Sequence, residues 1–539
     1  MQIPHRHPTP TRIRHQQPWE DEPQGGEERA IEIATRDEIA SDEATQSTST
    51  SARGEEGQCC AGGPLNWLVR VVFGSKTSYS SVFLLLIVWT YGLQGFRLTS
   101  TEKVMFWTAM RQGANPAVVE AAIGTLLVPA VFKAFYGLLA DSVPVCGRHI
   151  KPYYMASALL VVLCLASVAL SDVTPTWTTM FYVLVTMNVG ENFMDVLADA
   201  LVVREARAKG SGSSEMQSIA MFCIALGAMM SAFISGTLFD AGLHRAYMAA
   251  LAVAQSLALI LMLAYRERPT QKRLDRSVVR EICSNISQVL RTVAKPICYR
   301  PMLWYFMQHL CSFSLVTPNS WMRRSIGFSE GEIQYAGAVN YLFFMAGTVV
   351  YARFFTRVTF RKLWGVTTIV MTLLILPDYI QASRLNVKWG IPDWLFLYGS
   401  DGFTTFIDRI YSTPFHVMCA QLCPPGVEAL MFACLMSWNN LANSCSRHLG
   451  AAVQAAWGIT ADNYRPLLPS LIIVKAASTL LPLFFLFLVP NTASILTDAQ
   501  KEEHGCNYDQ HGSKNNSSME QQQQQQPQEE PEGGGLSDG

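Results

Sequence analysis

The sequence has 539 residues, of which 50% are hydrophobic and only 15% are charged. Because soluble globular chains carry about 25% charged residues, this composition argues against a soluble protein. The formal net charge is −1, and no Lys- and Arg-rich stripe is interleaved with aromatic residues, so nucleic acid is not an expected partner.

The 13 cysteines contain no CxxC pair, and several of them lie inside apolar runs. Free thiols in such runs behave as small hydrophobic side chains. We therefore predict no disulfide framework, no metal site and no cofactor.

Residues 1–62 are rich in polar and charged side chains and precede the first long apolar run. This composition predicts a disordered head on the cytosolic side. No cleavable signal peptide is recognised, so the first apolar run is expected to serve as an uncleaved membrane anchor.

Long apolar runs then follow one another to residue 489. A helix needs about 20 such residues to cross the hydrocarbon core of a bilayer. The predicted spans are 80–98, 116–140, 152–171, 177–203, 215–238, 245–265, 302–321, 334–353, 361–383, 392–417, 427–457 and 466–489. The sequence thus predicts an all-α membrane protein with twelve transmembrane helices in two six-helix bundles.

The basic residues of the loops predict the orientation of these spans. Lys and Arg accumulate in cytosolic loops, and nine of them fall in the loop 266–300 alone. The opposite loops hold few, among them Arg323 and Arg324. Both termini are therefore expected in the cytosol, with the plasma membrane as the expected location.

The tight turn between the second and third spans carries an acid and two bases. Asp141 ends one helix one turn after Gly137, and Arg148 and Lys151 begin the next. Contact between the acid and the bases would hold one conformation of the protein until it breaks. Simple enrichment of bases in a cytosolic loop is the alternative interpretation.

Acidic residues recur within the fourth span. Glu191, Asp195 and Asp199 are spaced four residues apart, so they share one face of a helix. Counted at 1.5 Å per residue from the cytosolic end, Asp195 and Lys133 of the second span lie at depths of about 12 and 10 Å, close enough to pair. Mutual neutralisation of buried charges is the simple explanation, but three acids exceed what one Lys can neutralise. The surplus predicts a proton or substrate site.

Small residues recur in the fifth span, where Ala228, Ala232 and Gly236 lie four residues apart. Small side chains let helix backbones approach closely in lipid, so this stripe predicts a helix-packing seam.

Residues 266–301 separate the predicted bundles 63–265 and 302–490. Apolar residues at helical spacing among Arg280, Arg291 and Lys295 predict an amphipathic helix in this linker. Its expected place is the surface of anionic lipid, with a regulatory partner as the alternative. Residues 491–539 include a run of glutamines and are predicted to be a disordered tail.

The second bundle carries charges in its tenth and eleventh spans, namely Asp401, Asp408, Arg409 and Arg447. In a duplicated transporter fold the fourth and tenth helices face one another across a central cavity. The acids of both spans are therefore expected to line one pathway. Arg409 and Arg447 are further candidates for this pathway.

Four segments resemble one known family. The turn GLLADSVPVCGRHIKPYY (137–154) is similar to the pattern GL.SD..PI.G.RR..Y of folate–biopterin transporters, and DVLADALVVREAR (195–207) to DVVVDALVVERAR. The residues MQS (216–218) stand for LQS, and AQLCPPGVEALMFACLMSWNN (420–440) is similar to ARLCP.GVEAT.FALLMS..N. His149 and Gln421 stand where the family patterns have Arg.

This resemblance implies the major facilitator fold, in which the loop after the second helix latches the two halves. It also implies import of folate or biopterin, and we expect proton symport through the buried acids. A transporter of S-adenosylmethionine, which some members of the family carry, is one alternative. A receptor or scaffold that no longer transports is another. An enzyme is the weakest interpretation, because His309, His416 and His448 lie outside any catalytic motif.

Overall fold

The computed structural model describes residues 79–98, 101–171, 176–208, 213–267, 276–423 and 428–492. The predicted head 1–62 lies outside the described residues, and so does the predicted tail from residue 493 onward.

The described residues form helices and no regular β-strand. In the first half these are α1 Ser81–Leu98, α2 Thr101–Arg111, α3 Pro116–Leu126, α4 Val128–Val131, α5 Lys133–Ser142, α6 Lys151–Ala169, α7 Trp177–Ala208, α8 Ser213–Asp240 and α9 His244–Ala264. The linker contains α10 Arg276–Val293. The second half contains α11 Pro296–Cys311, α12 Val316–Ile326, α13 Glu330–Val350, α14 Phe360–Leu373, α15 Leu376–Ala382, α16 Leu385–Lys388, α17 Asp393–Leu395, α18 Asp401–Gln421, α19 Glu428–Ala456 and α20 Leu468–Thr479.

Among the described residues, eight helical segments are long and apolar enough to cross a membrane. They are Ser81–Arg111, Pro116–Ala140, Lys151–Ala169, Ile219–Asp240, His244–Ala264, Glu330–Phe355, Phe360–Ala382 and Leu468–Leu488. The other predicted spans coincide with α7, α11, α18 and α19, which are rich in charged and polar residues or interrupted. The all-helical class is confirmed, and the count of twelve remains a prediction.

Two predicted spans are irregular. The seventh ends in a break at 312–315 and continues as α12, and the tenth begins with a π-helical turn, Phe396–Ser400, directly before Asp401. Such π turns inside helices occur frequently at functional sites. The assignment of Arg323 to a loop was wrong: the residue lies in α12 and is only 8% exposed, because the helix resumes after the break.

The most extensive helix contacts between the two halves lie in two places. α8 packs on α13, and the run α3 to α5 packs on α19. The predicted packing seam of α8 contacts a helix on each side. On one side Ala228 and Ala232 are buried, and Gly236 lies against the ring of Tyr335 on α13. On its other side α8 approaches α1 so closely that a Cβ at Gly227 would overlap the carbonyl oxygen of Gly92.

The linker helix α10 is amphipathic, as its sequence pattern predicts. Val289 is 5% exposed and packs into the core of the second half, whereas Leu290 is 62% exposed. The helix is therefore anchored on one half and presents apolar surface outward.

Polar contacts between the halves cluster at one end of the bundle. At this end, Asp240 accepts hydrogen bonds from the amide of Gly331 (2.7 Å) and the hydroxyl of Ser329 (3.0 Å). Beside them, Arg111 donates to Glu330 through Nε (3.0 Å) and a terminal nitrogen (2.5 Å). We call the end that holds these contacts and the turns 112–115, 241–243 and 327–329 the closed end.

Candidate functional site

The acids of α7 each have a partner on another helix of the first half. The Nε of Arg97 on α1 lies 2.7 Å from Oε1 of Glu191, and the same guanidinium donates to Gln255 on α9 at 2.8 Å. The atoms of the first contact lack hydrogen-bond geometry, so the contact is ionic in character. Both charged side chains are largely buried, with 6% and 12% exposure.

One turn further along α7, the Nζ of Lys133 donates to Asp195. The structure thus forms the pair that the depths in the sequence predicted. After another turn, Asp199 accepts a hydrogen bond of 2.6 Å from the hydroxyl of Tyr91 on α1. Asp199 itself is exposed while Tyr91 is 3% exposed, so this carboxylate faces accessible space beside the core.

The second half holds a comparable network around Arg323. Its two terminal nitrogens donate to the carboxylate of Asp401 at 2.5 and 2.8 Å. Asp378 of α15 lies 3.9 Å from the same guanidinium and accepts from Asn319 at 3.4 Å. Sequence reasoning missed Arg323 and Asp378 as members of this network. A lone acid within the predicted ninth span was the available signal for Asp378.

Asp408 and Arg409 both lie on α18 but have different neighbours. Asp408 is exposed, although it lies close enough to the buried Tyr305 and Tyr411 to act on both electrostatically. The guanidinium of Arg409 lies over the ring of Phe344 on α13, 4.0 Å from its centroid. An Arg in this position gains a cation–π contact and keeps donors for a further partner.

Arg447 joins the halves. One of its terminal nitrogens donates to Oε1 of Glu120 on α3 at 3.0 Å, and Glu120 is 0% exposed. The other oxygen of Glu120 accepts from Thr317 on α12. Sequence reasoning did not single out Glu120, although it is an acid inside a predicted span.

The predicted latch residues lie at the opposite end from these contacts. Lys151 donates through Nζ to the carbonyl oxygens of Leu263 (2.7 Å) and Tyr265 (2.8 Å) at the end of α9. Glu267 accepts from the backbone amides of His149 and Ile150, just before α6, and from that of Lys151 at 2.8 Å. These contacts tie α6 to α9 within the first half.

The other predicted latch residues are Gly137, Asp141 and Arg148. Arg148 is exposed, and Gly137 lies next to Val196. The side chain of Asp141 lies outside the described residues.

The predicted pathway residues therefore fall into separate groups. Lys133, Glu191, Asp195 and Asp199 lie among helices of the first half, and Asp401, Asp408 and Arg409 among helices of the second. Arg447 is bonded across the two halves. A pathway shared by both groups of acids remains a prediction.

Comparison with known proteins places the chain in a family. The profile of the BT1 family matches residues 94–509. The chain belongs to the BT1 family. It is 23% identical over 490 residues to the probable folate-biopterin transporter 4 of Arabidopsis thaliana, covering 80% of this chain and 99% of that protein. It is 28% identical over 446 residues to the folate-biopterin transporter of Synechocystis sp., covering 80% of this chain and 86% of that one.

Solved structures support the fold of this BT1-family protein. A D-xylose-proton symporter superposes with a TM-score of 0.57 at 14% identity, covering 77% of this chain and 99% of that chain. The nucleoside transporter NupG superposes with a TM-score of 0.56 at 15% identity, covering 76% and 99%. The chain therefore has the major facilitator fold. It is a multi-pass membrane protein whose family consists of transporters rather than enzymes.

Proposed function

We propose that the protein is a secondary active transporter that imports a pteridine-type solute, folate or biopterin, together with protons. The names of its relatives suggest the solute class. The observation that carries the coupling is the acid stripe of α7, in which Glu191, Asp195 and Asp199 each hold a polar partner inside the first half. Carboxylates within membrane-spanning segments mark ion and proton pathways in membrane proteins.

Different residues bind different chemical groups of the solute. Arg447 and Arg409 hold the carboxylates of a folate-like solute, since a guanidinium fork matches a carboxylate. Asp195 or Asp408 accepts from the amino-pyrimidine edge of the pteridine, which carries hydrogen-bond donors. Asp199 and Asp408 suit contact with solute because both carboxylates are exposed beside buried tyrosines.

Transport proceeds by alternating access between the two halves. The contacts at the closed end hold one of the two states, and their release opens that end to solute. At the opposite end, Gly137, Asp141, Arg148 and Lys151 form the conformational latch, in which Lys151 also fastens α6 to α9. Both termini lie in the cytosol and the protein works in the plasma membrane.

Uptake of labelled solutes tests this proposal. Transport-deficient cells that express the chain are given folate, biopterin or S-adenosylmethionine at external pH 5.5 and 7.5. We expect pteridine uptake that is faster at pH 5.5, and its loss in Asp195→Asn but not in the exposed-loop control Asp462→Asn. Uptake of S-adenosylmethionine alone would replace the solute assignment. Uptake of none of the three would favour a receptor or scaffold.

A further inference from the structure

Glu120 is a fully buried carboxylate at the boundary between the halves. It lies on α3 of the first half, and its hydrogen bonds come from the second half. Thr317 donates to Oε2 through its amide at 3.0 Å and its hydroxyl at 2.6 Å, and Arg447 donates to Oε1 at 3.0 Å. Opening of the closed end must therefore strip Glu120 of these donors.

The charged surroundings of Glu120 are mainly basic, and the acid among them is Glu102, which acts on Lys103 from the same helix α2. Lys103 on α2, Arg447 on α19 and Lys475 on α20 all act on it electrostatically. The ring of His448 lies beside Gly124, one turn along α3. The other helices packed on α3 are α4, α7 and α12; α4 has no charged residue, and α7 has none before Glu191. Arg323 of α12 is bound to Asp401.

Arg447 cannot form equally strong ion pairs with Glu120 and with a carboxylate of the solute at the same time. Two ionised carboxylates at one guanidinium repel each other, so binding of the second is favoured when the first gains a proton. Protonation also removes the charge that Arg447 neutralises, which frees its fork for a new partner.

We propose that Glu120 couples the binding of one proton to the binding of a carboxylate-bearing solute, and that it occupies Arg447 as an internal substitute for the carboxylate of the solute. This inference rests on the proposed function. A proton from solution binds a carboxylate oxygen of Glu120, the ion pair with Arg447 breaks, and the solute carboxylate forms a new ion pair with Arg447. One anion charge and one proton enter together, so the buried region keeps its charge.

The same contacts explain why the two events are linked. Without solute, the closed end regains its hydrogen bonds only when Glu120 is ionised and returns to Thr317 and Arg447. With solute bound, an ionised Glu120 would be left without its cation in a buried site, which is strongly unfavourable. Each state of the cycle thus pairs one carboxylate with Arg447.

Folate and biopterin provide a matched pair of probes, because both contain a pteridine but only folate carries carboxylates. Their dissociation constants are measured on the purified, full-length protein in nanodiscs between pH 5.5 and 7.5. In the wild type, folate affinity should rise by about tenfold per pH unit of acidification, as uptake of one proton requires. Biopterin affinity should change little over the same range.

Glu120→Gln imitates the protonated carboxylate while retaining most of the side-chain volume. It should bind folate at pH 7.5 at least as tightly as the wild type binds it at pH 5.5, with no dependence on pH. Asp462→Asn, which removes an exposed acid from a loop, should keep the wild-type slope. A wild-type slope in Glu120→Gln would overturn the inference while leaving pteridine transport intact. Absence of binding of either probe to the wild type would overturn both.

Thr317→Val covers the case in which Glu120→Gln does not fold. It removes the hydroxyl that donates to the ionised carboxylate but leaves Glu120 titratable. Because the ionised carboxylate loses one charge-assisted hydrogen bond, the whole folate profile should shift to higher pH by about one to two units. A purely structural Glu120 predicts an unshifted profile, and that result would refute the assignment.

Discussion

At the scale of single residues, the buried charges of this transporter are arranged as partners across helices. Lys133 and Asp195 come from α5 and α7, and their side chains are only 20% and 10% exposed. In such a site, removal of one partner leaves the other charge without compensation. The pair therefore has a structural role whether or not it also takes part in transport.

A double substitution separates the two roles of this pair. Lys133→Ala should lower the free energy of unfolding by about 3 kcal/mol, because Asp195 loses its cation. The double variant Lys133→Ala with Asp195→Asn should recover most of this loss, since the uncompensated charge is gone. Thermal unfolding of the purified protein in detergent measures both effects.

Pteridine uptake by the double variant then reports on function. If Asp195 is part of the proton or solute pathway, uptake stays low although the protein is stable. Wild-type uptake at both pH values in the stable double variant would show that the pair only permits burial.

Arg323 offers a second test at this scale. Its fork binds both oxygens of Asp401, and a Lys can supply the charge but not this geometry. Arg323→Lys should therefore lower the unfolding temperature and pteridine uptake, whereas Arg324→Lys on the exposed side of α12 should change neither. Equal behaviour of the two variants in the unfolding assay would contradict a requirement for the fork.

At the scale of helices, close approach of backbones sets the position of α8. Gly227 of α8 and Gly92 of α1 lie at the same crossing, but they are not equivalent. A Cβ on Gly227 would overlap the backbone of Gly92, whereas a Cβ on Gly92 would meet no described atom within 4 Å. A substitution at Gly92 is therefore a matched control for a substitution at Gly227.

Gly227→Ala should separate α1 from α8 and lower the free energy of unfolding by about 1–3 kcal/mol, as overpacking of a core does. Gly92→Ala should be neutral or slightly stabilising, because Ala favours a helix more than Gly does. Thermal unfolding of both variants, with expression as a second readout, measures the difference. An equal loss in both would mean that the helices do not cross as described.

The sequence predicted the helices well, but it predicted the partners of individual charged residues only in part. Apolar runs located the eight described segments that are long and apolar enough to cross a membrane, and the four-residue spacing of acids located the shared face of α7. The resumption of helix at α12 has no periodic signal, so Arg323 was assigned to a loop although it is buried. Glu120 was missed because its partners, Thr317 and Arg447, lie about 200 and 330 residues away along the chain.

At the scale of the whole molecule, three carboxylates connect the halves at the closed end. Glu120 and Asp240 extend from the first half, and Glu330 extends from the second. Asp240 accepts from the first turn of α13, where unpaired amides favour an anion. Gly331 is required there, because a Cβ at that position would overlap the carboxylate of Asp240. These contacts should set the balance between the states that are closed and open at this end.

The double variant Asp240→Asn with Glu330→Gln should shift this balance toward the open state. It weakens the contacts to Gly331, Ser329 and Arg111, and each hydrogen bond to a charged group contributes about 1.5–3 kcal/mol. Loss of even one such contribution changes the ratio of the two states by about tenfold. Spin labels at Ala241 in the first half and Asp462 in the second, both exposed residues, measure the distance between the halves.

The matched control for that experiment is Glu332→Gln. Glu332 lies on the same turn of α13 and accepts from the amide of Ser329 at 2.7 Å, which is a contact within the second half. Gln preserves this capping interaction while removing the same charge. The control should therefore retain the wild-type distance distribution, while the double variant gains a population at longer distance. Identical distributions in the double variant and the wild type would show that the closed end is held by its apolar contacts, such as the rings of Phe106 and Trp321 at 5.4 Å, rather than by its carboxylates.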